Sequence, residues 1–568
     1  MSTEQSKYFQ NEEDKNENII ENEKNKQFKS KLLIITIIII ITLIIISFIA
    51  FLILYLNEED SKKEEDSEQE DTSSIIAKYI VYSPSDNIKL FNENSLKSIY
   101  SIEINEIAYK NINSFNFESS GENVVKINIK KDIESMEEMF KDCNNLIDVN
   151  FTEANTDKLK NIAGMFNGCS SLVSFNLHLP NTSMLTNMSY LFNNCKYIEN
   201  IYIDNNINTS NVIDMNNIFS NCPSLISLDL TPFNTKNVKY IQGMFKGDIS
   251  LINIEFGNNF ITSEVIDMSE LFFDCYELKS INLNNFDTSN VLYINNFLHN
   301  CIRLTSIDVS NFHTSKLMEM NGMFLNCFDL NSIDISNFDT SNVIDMSNLF
   351  SGCSKIKELN LNSINTSKVK NMNSMFARCI LLTSLNLSTF DTSSVLSMYN
   401  MFDLCTSLVS LDLTSFNTSN VRDMSFMFSG SQNLTQIDIS NFDTRNVLNM
   451  NNMFYGCISL TSIDFSNFDT KNVRYMTNMF HGCSAMTSLN INSFDTSNAI
   501  NMDYIFEECY NLKELDISKF NSKSLNDDEV CLFENISENG TIYFDSRIFN
   551  HSIIDIFFKN WDIIDVGK

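Results

Sequence analysis

Along most of the chain, hydrophobic and polar residues follow one another in a single repeated phrase, which at 337–356 reads NFDTSNVIDMSNLFSGCSKI. Val343, Met346, Leu349, Phe350 and Cys353 are spaced three, three, one and three apart. That spacing predicts one buried face of an α-helix of about ten residues. Ile356, Leu359 and Leu361, like Ile333 and Ile335 one beat earlier, interleave with polar residues as a half-buried strand does. Asp339, Thr340 and Ser341 stand where short polar side chains cap a helix start. The expected fold is an α/β solenoid, a leucine-rich-repeat-like right-handed stack of about 15 strand–helix units. Neither element buries its apolar face alone, so each unit depends on its neighbours.

The cysteines set the period. Thirteen of the 14 fall at Cys143, Cys169, Cys195, Cys222, Cys275, Cys301, Cys327, Cys353, Cys379, Cys405, Cys457, Cys483 and Cys509, with Asp248 and Ser431 on the two missing beats. Steps are 26 residues, except for 27 at those ending on Cys222 and Cys275, and Cys531 lies outside the series. A chain of 568 residues is therefore read as one solenoid and not as several globules. A phenylalanine precedes the beat by three residues at 14 of 15 positions, with Leu298 as the exception. We read that column as a hydrophobic spine, and the Met column (Met136, Met188, Met215, Met320, Met346, Met372 and later copies) likewise, with Ile162, Ile241 and Ile294 as fillers.

Before the repeats, residues 32–56 run for 25 positions without a charge. As a helix they span about 37 Å, against about 30 Å for a bilayer core. The run is too long for a signal-peptide core and no small-residue cleavage site follows it. Lys24, Lys26, Lys29 and Lys31 precede it and acidic residues dominate after it, which orients the N-terminus to the cytoplasm. The expected organisation is a cytoplasmic tail (1–31), a transmembrane signal-anchor helix (32–56), an acidic stalk (57–74), an N-terminal cap (75–130), the solenoid (131–520) and a C-terminal cap (521–568). Trp561, the only tryptophan, is assigned to packing in the last cap.

The phrase SLDLSNFDTSNVxxMxxMF, taken with the MFxxCxxL spacing, resembles the BspA-like leucine-rich repeat surface proteins over about residues 130–520. That resemblance implies a non-enzymatic cell-surface or secreted protein that adheres to extracellular or host proteins. The N-terminal transmembrane segment departs from the lipid-anchored or cleaved-signal members.

Candidate chemistry is sparse. A formal charge of −32 with 40 Lys+Arg argues against nucleic acid as a partner. No phosphate-binding loop, G-x-S-x-G elbow or H-E-x-x-H occurs, and no catalytic, cofactor or metal residue is assigned. The cysteine column reads as buried free thiols acting as small hydrophobes, with occasional bridges between neighbouring rungs as the alternative. Asp229, Asp308, Asp334, Asp412, Asp438, Asp464 and Asp516 alternate with Asn between the last two strand hydrophobes and form the candidate partner-binding strand face. Calcium is a possible ligand there, weighed against a merely solvated face. Asp287, Asp339, Asp391, Asp443, Asp469 and Asp495, each followed by Thr, are read as turn and helix caps. Eleven N-x-S/T sequons, at Asn150, Asn181, Asn187, Asn208, Asn365, Asn386, Asn417, Asn433, Asn535, Asn539 and Asn550, allow N-glycosylation. The function expected is a membrane-anchored surface protein presenting a recognition solenoid; the alternative is a structural coat assembling through lateral contacts.

Overall fold

The computed structural model describes residues 72–84, 86–521 and 532–568, together with 26, 29–30, 32–34 and 36–50. The tail expected at 1–31, the distal end of the apolar run and the stalk up to residue 71 lie almost wholly outside the described residues, as does Cys531. The chain divides into two units, Met1–Thr72 and Ser73–Lys568. In the first, Leu32–Ala50 is a helix (α1) long and apolar enough to cross a membrane by length and composition.

The second unit begins with β1 (Thr72–Val81), three residues inside the expected stalk. β2 (Asn87–Lys89) and β5 (Ser114–Asn116) pair apart, while β3 (Ile99–Ile104), β4 (Ile107–Tyr109) and β6 (Gly121–Lys130) join β1 in a sheet of order β4-β3-β6-β1-β7. β7 (Leu146–Asn150) is the first solenoid strand and meets β1 antiparallel, with Ala77 opposite Val149. The 26-residue beat then takes over. β8 (Ser174–Leu177) pairs parallel with β9 (Asn200–Ile203), β10 (Ser227–Asp229) with β11 (Asn253–Glu255), and β12 (Ser410–Asp412) with β13 (Gln436–Asp438). β14 (Ser488–Asn490), β15 (Glu514–Asp516), β16 (Thr541–Phe544) and β17 (Asp562–Asp565) form one parallel sheet in that order. On a second wall of each coil, 14 parallel bridges join 15 successive rungs from Ser135 to Asn501.

The helix expected in every unit is absent, and the fold is a β-solenoid with little helix. Apart from α1, the described residues hold one short 3-10 helix (Glu93–Ser98) and one α-helix, α2 (His551–Phe557). At 346–353 alternate amides leave the coil: Met346, Asn348, Phe350 and Gly352 donate to the carbonyls of Asn371, Asn373, Met375 and Ala377 at 2.8–3.1 Å. The amides of Leu349, Ser351 and Cys353 close turns three residues back. Asn348 and Gly352 have φ of 56° and 76°. Left-handed residues four apart cannot sit in a right-handed helix, and the same two positions are left-handed on every beat from Glu138/Asp142 to Tyr504/Glu508. The apolar spacing mimics a helix because these tight turns also return a side chain inward every three or four residues.

Inside, the columns are as expected. Phe324, Phe350 and Phe376 stack at 5.8 and 6.0 Å with planes within 11°. At the one exception the order is exchanged, Phe297 preceding Leu298 where other coils have Leu, Met or Ile before Phe. Phe297 packs edge-on against Phe272 at 5.2 Å, which keeps an aromatic ring in the core. The spine continues past the last cysteine to Phe533, stacked on Phe506 at 5.5 Å. The parallel sheet likewise runs on, with Glu514 opposite Thr541 and Thr541 opposite Asp562. Trp561 is buried, packs on Phe558 at 5.0 Å and donates its indole N–H to the Ser537 carbonyl at 2.9 Å.

Candidate functional site

The thirteen described beat cysteines are all free and buried. Each Sγ from Cys169 on reaches the carbonyl of the spine residue in the preceding coil, as in Cys353 to Phe324 at 3.2 Å and Cys379 to Phe350 at 3.2 Å. Ser431 does the same from its hydroxyl, to Phe402 at 2.9 Å. Burial pushes the Cys195, Cys327 and Cys379 thiols up to about 12. Such groups are not nucleophiles at neutral pH, because the thiolate is the reactive form.

The threonine column was read as part of a cap and is something else. Thr340 is buried, donates to the Asn365 carbonyl at 2.9 Å and accepts the Asn365 N–H at 2.8 Å. Thr392 and Thr418 repeat the arrangement. One hydroxyl thus satisfies a donor and an acceptor on the next coil, which a buried backbone requires. A second side-chain ladder comes from asparagine: Asn237, Asn342, Asn420 and Asn446 donate to carbonyls of Ser210, Ser315, Ser393 and Ser419 in the preceding coil at 2.7–3.0 Å. The abundance of Asn and Thr is the sequence signal for these ladders. Asp339 and its counterparts do close turns, accepting the N–H two residues on (Ser341, 3.0 Å), but no helix follows them.

On the strand wall, six of the seven candidate aspartates are exposed and Asp516 is half-buried. Each accepts on Oδ1 the backbone N–H two residues on: Ser310 for Asp308, Ser336 for Asp334, Thr414 for Asp412 and Ser440 for Asp438, all at 2.9–3.0 Å. Asp229, Asp464 and Asp516 do likewise. The hydroxyl and N–H of that residue hold Asp308, Asp334 and Asp412 below the usual carboxylate range. Asp438 and Asp464 are lowered in the same way, with the neighbouring carboxylate opposing the shift. None of the seven is in an ion pair among the described residues.

The structure brings some of these together and leaves others apart. Asp412 lies opposite Asp438, and Asp464 follows one beat later, giving three adjacent acidic rungs beside a shallow depression edged by Ser410, Gln436 and Ser462. Asp229 lies opposite Glu255, an acidic rung that a search for Asp alone misses. Asp516 faces Asn490 and Tyr543. At four other beats Asn282, Asn360, Asn386 and Asn490 close the same turn through their amide oxygens at 3.1–3.3 Å. Among the described residues, no group of three or more His, Cys, Asp or Glu is placed to hold a metal ion.

Nearer the N-terminus the same wall also exposes apolar residues, Val173, Tyr202, Ile226 and Ile252, beside the Asp229–Glu255 rung. Of the sequons, Asn181 and Asn187 are half-buried and the other nine are exposed. Asn208, Asn365 and Asn417 use the amide oxygen to close a turn around a buried threonine.

The fold is that of a repeat protein, a β-solenoid whose inward columns largely recur while most of the variation falls on outward positions. The chain belongs to the DUF285 family, described as a Mycoplasma protein of unknown function, whose profile matches residues 106–224, 173–255, 248–359, 327–437 and 432–546. Two solved structures are similar to it. A leucine-rich repeat protein from Eubacterium ventriosum is 14% identical, with 58% of this chain and 87% of that one covered at a TM-score of 0.36. A leucine rich cell surface protein from Faecalibacterium prausnitzii is 16% identical, with 61% and 80% covered at 0.34. No curated protein matches the chain by sequence.

Proposed function

We propose that this chain is a non-enzymatic surface protein, anchored by α1 with its N-terminus in the cytoplasm, whose solenoid binds extracellular or host proteins along the strand wall. The observation that carries the reading is the Asp/Asn choice on that wall. Either residue closes the turn, since Asn360 and Asn386 use the same oxygen as Asp412. The backbone therefore requires no charge at these rungs, yet carboxylates occupy three adjacent ones at Asp412, Asp438 and Asp464. Buried thiols and an uncharged core leave the outward columns as the only part of each coil free to recognise anything.

Cells displaying the full chain, tested on immobilised matrix proteins, separate the readings. Adhesion that falls several-fold in the D412N/D438N/D464N variant, with folding intact, supports recognition through the acidic rungs. Binding only between copies of the chain would replace the adhesin with the structural coat, which the exposed column Ile213, Met318, Leu396, Leu448 and Ile500 on another wall favours. Protease treatment of intact cells tests the topology: protection of the solenoid would end the surface assignment.

A further inference from the structure

The beat at 248 is unlike every other. Thirteen beats carry a thiol and one, Ser431, a hydroxyl, each able to donate a hydrogen bond; Asp248 alone is a carboxyl, and it is fully buried. At an ordinary beat two donors converge on the spine carbonyl. The Cys195 N–H closes its turn onto Phe192 at 3.2 Å, and the next coil's Cys222 Sγ reaches the same carbonyl at 3.1 Å. One coil later this changes. The Cys222 N–H goes to Asp248 Oδ1 at 2.8 Å, so the turn that would end on the Phe219 carbonyl is opened by the carboxyl. Asp248 Oδ2 is buried with no partner among the described residues. A carboxylate there would leave one oxygen unsolvated, whereas the equivalent Ser431 hydroxyl donates to the spine carbonyl 29 residues back, the counterpart of Phe219 here. A carboxylic acid has the donor, and its two oxygens then span the gap between the N–H and the C=O that the opened turn leaves.

We propose that Asp248 is a neutral carboxylic acid inserted into the ladder between the Cys222 N–H and the Phe219 carbonyl, and that its ionisation unlatches this coil as pH rises. Burial pushes its carboxyl well above the usual range, and the Cys222 hydrogen bond opposes this only in part. The titratable groups facing it are the Cys222 thiol in the coil before and the Cys275 thiol in the coil after, both raised by burial and by Asp248 itself. Lys246, Glu270, Asp274 and His299 lie toward the turn surface, where Lys246 pairs with Glu270 at 2.6 Å and Asn300 with Asp274 at 2.6 Å. No cation is therefore available to compensate a charge at 248. The site also lies between the two 27-residue steps that end at Cys222 and Cys275, where the regular register is already interrupted.

The test is amide hydrogen exchange of the full chain in detergent, read at the segment 219–222 and corrected for the intrinsic effect of pH. D248N is the informative variant, because its amide oxygen accepts and its amide N–H donates in the same two directions without titrating. The unfolded carboxyl loses its proton near pH 4 while the folded one keeps it. The opening constant of the wild type relative to D248N is therefore expected to rise about tenfold per pH unit between pH 5 and 6 and to level off at the folded value. D248S, which copies the hydroxyl at Ser431, is expected to be flat with pH, and it serves as the reference should D248N not fold. A protonated-carboxyl stretch in the infrared at pH 6, lost in either variant, is the direct signature. A wild-type ratio that stays constant over that pH range, or no such band, overturns the proposal.

Discussion

Two stretches of the strand wall share one backbone and differ in what they show to solvent. At β8–β11 the outward residues include Val173, Tyr202, Ile226 and Ile252 beside Asp229 and Glu255; at β12–β13 and the next beat they are mostly polar, Ser410, Asp412, Gln436, Asp438, Ser462 and Asp464, beside Val409. Beneath both lie the same apolar strand columns and stacked Phe, with the buried Cys column broken once in each, by Asp248 and by Ser431. The difference teaches that the fold constrains the inward columns and leaves the outward ones to vary from coil to coil. What the wall exposes is thus a property of position along the stack.

The strongest way to break the comparison is to remove what the two stretches have in common. Phe350→Ala deletes a ring stacked on two others and is expected to cost about 4 kcal/mol, measured by urea unfolding. Thr340→Val keeps the shape but leaves the Asn365 N–H and C=O unpaired, for a loss of about 2 kcal/mol in the same assay. Cys353→Ser should lie within about 1 kcal/mol of the wild type, since Ser431 already makes the equivalent bond. Its thiol and the other beat thiols are expected to resist alkylation until the protein unfolds; labelling of the native chain at neutral pH would contradict their burial. Smallest of all, Ile226→Thr and Tyr202→Asn convert the apolar stretch to the polar type and should leave the unfolding midpoint unchanged to within about 0.5 kcal/mol.

Acid sharpens the comparison from the other side. Asp308, Asp334, Asp412, Asp438 and Asp464 are held below their ordinary value by the turns they close. Their contribution is present above the unfolded carboxylate value, near pH 4, and is lost as pH falls through the lower folded values. An acid titration of D412N/D438N/D464N should be flatter than that of the wild type below about pH 4. The sign is opposite to that at Asp248, whose contribution is lost as pH rises. Acidic rungs whose removal leaves the acid limb unchanged would show that the turns tolerate protonated side chains.

Much of this was legible in the sequence, and the misses have identifiable causes. The beat placed Phe350 and Cys353 in the core, and the alternation of Leu359 and Leu361 marked a strand wall. The helix was misread because Val343, Met346, Leu349, Phe350 and Cys353 carry a helical spacing, although Asn348 and Gly352 within it are residues that favour the left-handed conformation. Threonines such as Thr340 looked like caps because a hydroxyl beside an Asp usually bonds locally; here its partners lie 25 residues away. The further coil at Phe533 escaped because its cysteine position holds Ile536 and its step is 27 residues.

The sequence by itself determined the period, the identity of the buried columns and the apolar segment before them, because each is a regularity that repetition makes visible. Tertiary structure alone decided how the backbone between those columns is satisfied. Whether an amide bonds four residues back or one coil ahead is invisible in an apolar pattern that suits both. The choice was settled by the stacked neighbour, which offers every coil a complementary row of carbonyls at strand spacing.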